Sequence, residues 1–403
     1  MEPVSFRESP LAGLASARTF QEKLLLLHQA LKLRCSGIDR ISVALYDDKT
    51  TMVKTFLASP AKENPLQNYR IALDKAPSLL EVATKGQPRV VNDLRLLEPS
   101  SDSTHTQSIL GHGFCSSYTH PMLHDDALAG FVFFDSMHKR YFRERVMEQV
   151  ELFAPLISEL VMGSLMLNRT LTAALRTSVA LTKLHDLESG NHLERMSRYA
   201  RLIASRLVSL GLAQLDDEQL EHIFLFAPLH DVGKIGIPEH ILNKPGKLDS
   251  QEREVMNAHT MLGRQIVDDL IENFGFETLP YIDYLRNITE SHHETMDGSG
   301  YPHGLQGEEI ALEARITAVS DIFDALTSRR PYKKVWSNDQ AFAMLQLMSI
   351  DKLDKDCVEA LLDCADDVAL VQRRFVDDPL QDDAAPVRTD AEDVTGQADV
   401  TLQ

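Results

Sequence analysis

Cysteine is scarce. The four in 403 residues (Cys35, Cys115, Cys357 and Cys364) form no CxxC pair. That argues against a thiolate zinc module, and the four read as reduced thiols of a cytoplasmic protein. Positive charge is short too: 41 Lys and Arg face 60 Asp and Glu, a net charge of -19. So acidic a chain offers no general surface for DNA, RNA or an anionic membrane. No apolar run reads as long enough to span a bilayer, and no signal-peptide pattern opens the chain. Part of the acidity is a tail effect. Asp377–Gln403 holds eight acids and one base, net -7, which leaves -12 on the rest. From Pro379 onward the tail has no core pattern and is expected to be disordered.

What remains is globular. Hydrophobic residues make up 43% and charged residues 25%, ordinary values for a packed protein. The length exceeds one ordinary core, so two domains are expected. Residues 1–15 carry no clear signal. Arg18–Leu33 reads as a helix. Arg40–Tyr46 alternates with period two, as a half-buried strand does, and Thr51–Leu57 can return beside it after the Asp47-Asp48 turn. A short helix over Ser78–Thr84 follows, then strands over Ser116–Met122 and Leu128–Ser136. Strands in the middle with helices at both ends make an antiparallel sheet with helical cover. From Arg143 to Leu187 the pattern is helical. Leu152, Phe153, Leu156, Ile157, Leu160 and Val161 form a stripe, and Pro155 is expected to kink or break the helix. Such a helix can serve as a dimer seam and signal lever, or its stripe can pack on its own domains.

The second half carries a different inventory. Glu188 and His192 stand at i, i+4. An apolar run ends in Leu229-His230-Asp231-Val232-Gly233-Lys234, where a helix would return Lys234 to the face of His230 and Asp231. Asp249 with Glu252 is a helix-start signature for the segment that carries His259. Then come His292-His293, a glycine-rich loop Glu294-Thr295-Met296-Asp297-Gly298-Ser299-Gly300-Tyr301-Pro302, and a helix over Leu312–Ser328 with Asp321 and Asp324. Each of these histidines or acids alone is more often a surface or core residue. Five histidines, two aspartates and a glutamate on separate helices are together the donor types of a multinuclear centre. Imidazole and carboxylate without thiolate suit iron, manganese or zinc.

With these motifs in view, residues from about 175 to 340 resemble an HD-GYP domain, a bacterial subgroup of HD phosphohydrolases that cleave cyclic di-GMP. The motif set extends through Asp321-Ile322-Phe323-Asp324-Ala325-Leu326-Thr327-Ser328-Arg329-Arg330-Pro331-Tyr332-Lys333. Ser189 stands where the family commonly has threonine. The first half resembles a GAF sensor domain, through its order of elements and the strand ending Phe133-Phe134-Asp135-Ser136. It shows no ligand signature, and Cys115, His112, His120 and His124 read as a buried thiol and surface histidines. The resemblance implies an α+β protein. A GAF-like antiparallel sheet with helices (16–160) follows the N-terminal segment (1–15), a connecting helix (161–187) leads to an all-α HD-GYP domain (188–376), and the acidic tail (377–403) closes the chain. It implies metal ligands at His230, Asp231, His259, His292, His293 and Asp321, with Asp231 bridging. Glu188 and His192 match the extra ligands of members that hold a third metal. Two or three divalent ions, iron or manganese, are therefore expected. His230, Asp231 and Lys234 fall at the catalytic positions, and Lys234, Tyr301, Arg330 and Lys333 at substrate-binding positions.

The implied activity is hydrolysis of cyclic di-GMP to pGpG or GMP, in a cytoplasmic protein that dimerises through the connecting helix, with a GAF-like domain whose ligand, if it takes one, the sequence does not identify. The rivals are a receptor or interaction module with little turnover, and a phosphodiesterase for a different cyclic dinucleotide.

Overall fold

The computed structural model describes residues 9–60, 64–96, 104–182, 190–275, 279–328 and 335–377. The expected disordered stretch from Pro379 onward lies outside them. The chain divides into two compact units. The first comprises Met1–Thr170, Asp216–Glu221 and Thr278–Pro280, and the second Leu171–Leu215, His222–Glu277 and Tyr281–Gln403.

The first unit is built on an antiparallel six-stranded sheet. Its strands are β1 (Arg40–Asp47), β2 (Met52–Ser59), β3 (Arg70–Ala72), β4 (Arg89–Val91), β5 (Ser116–His124) and β6 (Ala127–Ser136), in the order β3-β2-β1-β6-β5-β4. Its helices include α1 (Phe20–Lys32), α2 (Pro77–Lys85) and α3 (Thr104–Gly111). A capping box starts α1: the Thr19 side chain accepts from the Glu22 amide, and the Glu22 side chain returns to the Thr19 amide, which satisfies donors that a helix start leaves open. Period-two alternation divides the sheet into two faces. Ile41, Val43 and Leu45 of β1 join Tyr118, Val132 and Phe134 in a core that also holds Leu24, Leu27 and Leu31 of α1. Full burial of one such aliphatic side chain is worth about 2 kcal/mol. The β5–β6 hairpin turns through Asp125 and Asp126, both at positive φ, as a two-residue turn matched to strand twist requires.

Helix α4 (Glu144–Thr182) runs 39 residues with Pro155 inside it, so the expected break does not occur. Pro155 and Glu151 are both exposed, and the carbonyl freed four residues back can be hydrated. The expected stripe is only half buried. Ile157 and Val161 enter the core beside Val150, Ala154 and Leu165, whereas Leu152 and Leu156 are 61% and 56% exposed. By length and composition Glu144–Ala173 is apolar enough to cross a membrane, which corrects the reading that no run is. The same stretch supplies Val150, Ala154, Ile157, Val161 and Leu165 to the first unit's core, as the buried helix of a packed domain does.

The second unit is helical: α5 (Gly190–Ser209), α6 (Asp217–Phe226, its last turn from His222), α7 (Glu239–Leu242), α8 (Ser250–Asn257), α9 (His259–Phe274), α10 (Ile282–Ser291), α11 (Leu312–Thr327), α12 (Asn338–Met348), α13 (Lys355–Leu362) and α14 (Ala365–Arg374). Its core sets Tyr199 of α5 edge-on to Phe323 of α11, ring centroids 5.2 Å apart. α11 is buried along Ile316, Val319, Phe323 and Leu326. That burial fixes the rotation of the helix and so aims Asp321 and Asp324.

Candidate metal centre

His230 and Asp231 do not sit on an α-helix. After α6 the chain tightens into 3-10 turns over Ala227–Leu229 and Val232–Gly236, with His230 and Asp231 between them. The tighter winding of a 3-10 turn suits the i+3 contact, and Lys234 Nζ lies 2.5 Å from Asp231 Oδ2. Gly233 is what brings His259 alongside. A Cβ there would lie 1.8 Å from the His259 carbonyl oxygen and 2.4 Å from the Gly263 amide. Asp249 and Glu252 form the expected capping box of α8. His259 nevertheless opens a separate helix, α9, with Ala258 alone between it and the end of α8. His292 caps α10 and His293 follows it.

These elements gather His192, His230, Asp231, His259, His292, His293 and Asp321 into one neighbourhood. Candidate ligand atoms of Asp231, His259, His292 and His293 lie within 4.8 Å of one another, and so do those of His192, His230 and Asp321. Asp231 joins the two groups: its oxygens are 3.3 Å from His230 Nε2, 3.3 Å from His259 Nε2 and 3.8 Å from His292 Nε2. Asp321 Oδ1 is 3.9 Å from His230 Nε2.

The orientation of the rings bears on whether metal fits. Nδ1 of His230, His259 and His292 meets the carbonyls of Ala227, Met256 and Ile288 at 3.0, 2.8 and 2.9 Å. A carbonyl only accepts, so each Nδ1 carries the proton and each Nε2 turns a lone pair inward, as in a metal-ligating imidazole. Among the described residues, Nε2 of His259 and His292 and Oδ1 of Asp231 are buried without a hydrogen-bond partner. Buried polar atoms are seldom left so, and divalent cations would satisfy them. Burial also keeps the imidazoles neutral: His259 and His292 are pushed below the usual histidine range, and His293 to about 3. Burial opposes ionisation of Asp231, but the Lys234 ammonium beside it outweighs this and holds the carboxyl well below its ordinary range. Neutral imidazoles, ionised carboxylates and no thiolate fit hard or borderline divalent ions.

His192 is held by a support that the sequence reading left unassigned. Its Nδ1 donates to Asp324 Oδ2 at 2.7 Å. Arg195 grips the same carboxylate through Nε at 2.6 Å and Nη2 at 2.9 Å, and Ser328 Oγ donates at 2.8 Å. Asp324 is fully buried. Burial would raise its pKa, but His192 and Arg195 bring it down to about 2. The i, i+3 spacings of His192 with Arg195 and of Asp321 with Asp324 were the available signal. Tyr301 stacks on His293, centroids 4.8 Å apart. Its loop is anchored by Lys352, whose Nζ meets Asp297 Oδ2 at 2.5 Å and Ser299 Oγ at 2.6 Å. Glu188, Arg330 and Lys333 lie outside the described residues. In the first unit His112 and His124 are exposed, and Cys115 is half-buried where a buried thiol was expected.

Residues 177–357 match the family model described as HD domain. The second half of the chain is thus similar to an HD domain. Over 170 residues it is 46% identical to a cyclic di-GMP phosphodiesterase response regulator, RpfG, of Xanthomonas campestris, covering 42% of each chain. Over 190 residues it is 35% identical to 3'3'-cGAMP-specific phosphodiesterase 2 of Vibrio cholerae, covering 47% of this chain and 34% of that one. The chain thus spans less than half the length of these relatives. A solved GAF domain from an Acinetobacter phosphoenolpyruvate-protein phosphotransferase is similar at 12% identity and TM-score 0.31, covering 40% of this chain and 92% of that one. The expected α+β class holds: an antiparallel sheet with helices in the first unit and the helical HD domain in the second.

Proposed function

We propose that this protein is a cytoplasmic, metal-dependent phosphodiesterase that linearises cyclic di-GMP. The single observation behind this reading is the inward-facing set of neutral imidazoles around Asp231, in an HD domain similar to a named cyclic di-GMP phosphodiesterase. His192, His230, Asp231, His259, His292, His293 and Asp321 would hold two divalent ions, iron or manganese, and Glu188 would complete a third site. When bound, such ions polarise phosphoryl oxygens and acidify water near neutral pH.

The chain's own residues do the rest. Asp231 reaches toward both ligand groups and so fixes their spacing. Lys234 Nζ, beside Asp231, is placed to hold a phosphate oxygen or to give a proton to the leaving alkoxide. Arg330 and Lys333 would add phosphate contacts. Tyr301, stacked on His293, closes one wall against water. Positive charge from the ions and these side chains lets an acidic protein accept a dianion. The first unit is the sensor in this reading, and α4 the seam of a homodimer.

The test is turnover of cyclic di-GMP by protein purified without oxygen and loaded with iron or manganese, with nucleotide products separated by chromatography. pGpG or GMP from the parent protein, and none from Asp231→Ala, supports the reading. Tight binding without product over hours would sink it in favour of a receptor. The similarity to a 3'3'-cGAMP-specific enzyme favours one second reading, hydrolysis of a mixed cyclic dinucleotide. Parallel turnover of both substrates decides between them.

A further inference from the structure

The sheet of the first unit has a second face, where polar side chains stand among apolar ones. Alternate residues from neighbouring strands line a cavity: Arg40 and Ser42 of β1, Thr55 of β2, Arg89 of β4, Thr119 of β5 and Asp135 of β6. The cavity has a volume of about 60 Å³, room for a compact guest rather than a large one. The strand register puts the polar groups there. Arg40 pairs directly with Asp135, Asp135 with Ser117, and Arg89 with Thr119.

The charges in this lining do not balance. Asp135 is already satisfied: Arg40 Nη1 donates to it at 2.6 Å and Ser117 Oγ at 2.7 Å. Asn64 takes Arg40 Nη2 at 2.9 Å. That leaves Arg89 without a carboxylate among the described residues of the lining. Among the described residues its Nη1 has only a long contact of 3.3 Å to the Ser78 carbonyl, and its Nε is buried with no hydrogen-bond partner. Arg40 Nε is likewise buried and unpartnered. Glu81, which attracts Arg89, is exposed and bound to Lys85 at 2.6 Å. A half-buried guanidinium with idle donors is costly unless an anion completes it. The rest of the wall is apolar, including Leu66, Leu79, Leu94, Ile109 and Phe133.

We infer that this cavity binds a small monoanion, a carboxylate on a compact apolar body, with Arg89 as the residue that takes the carboxylate. One spare guanidinium matches one negative charge, and the apolar wall excludes a bare, strongly hydrated anion. The inference stands apart from the phosphodiesterase reading, because no residue of the metal centre takes part.

The probe is benzoate, titrated calorimetrically into the full chain at low salt, with benzamide as its neutral isostere and inorganic phosphate as the bare anion. Benzoate is expected to bind at least tenfold more tightly than either. Arg89→Gln should abolish that preference while far-UV circular dichroism stays unchanged. Benzamide or phosphate binding as well as benzoate, no benzoate binding up to 20 mM, or a preference kept in folded Arg89→Gln would each overturn it. Should Arg89→Gln fail to fold, the three-ligand comparison on the parent protein decides alone.

Discussion

Two buried polar clusters, one in each unit, meet the cost of burial in opposite ways. Around Asp135 the cluster closes on itself: one carboxylate, one guanidinium and a serine hydroxyl satisfy one another. Around Asp231 the histidines spend their outer nitrogens on backbone carbonyls and turn the inner ones toward shared space. The first arrangement pairs its charges internally and leaves only Arg40 Nε without a hydrogen-bond partner among the described residues. The second is complete only with cations. Burial of charge therefore does not by itself mark a site; the direction in which the remaining lone pairs point does.

Substitutions can break or sharpen that contrast. The largest effect is expected at Asp231→Ala, where turnover should fall to background and elemental analysis should show most metal lost, with far-UV circular dichroism retained. Asp135→Asn should do the reverse. It strands Arg40 in the sheet and should cost about 3–5 kcal/mol in urea unfolding, leaving metal content untouched in whatever protein folds. Gly233→Ala forces a methyl into the His259 backbone and should cost about 3 kcal/mol, with loss of metal in the surviving fold. Asp324→Asn keeps the ligand set but loosens His192. It should lower metal per chain in elemental analysis and cut turnover about tenfold.

The smallest effect is one of pH. His28, buried between Ser59 Oγ and the Ile38 carbonyl at 2.9 Å each, is pushed by burial below its ordinary value of 6.5. The unfolded chain then binds the proton more readily, so stability is full above pH 6.5 and is lost as pH falls below it. His28→Gln should flatten that loss, seen as a smaller drop in urea midpoint between pH 7 and pH 5.

The long strands were legible from three different signals: alternation over Arg40–Tyr46, a return after the Asp47-Asp48 turn for Thr51–Leu57, and a buried apolar run over Leu128–Ser136. β3 and β4, three residues each, are too short for any period and exist only because β2 and β5 offer them edges. The metal-centre residues were legible as types and spacings, but their local geometry was not. An α-helix was expected through His230–Lys234, and the 3-10 winding owes itself to close packing at Gly233 that no local pattern encodes. The same holds at Pro155, where exposure decides what a proline costs. Asp324 was visible as a helix acid, yet its service to His192 comes from a partner 132 positions away.

α11 carries Asp321 and Asp324 three residues apart, one reaching toward His230 and the other toward the back of His192. A single register thus serves both the ligand and the brace of its neighbour. Inserting one residue upstream in α11 would swing both carboxylates by roughly 100° and unseat Phe323 with them. This stretch should therefore accept side-chain exchange far more readily than a change of length, and an engineer moving the centre to another scaffold would have to carry the whole helix rather than its two acids.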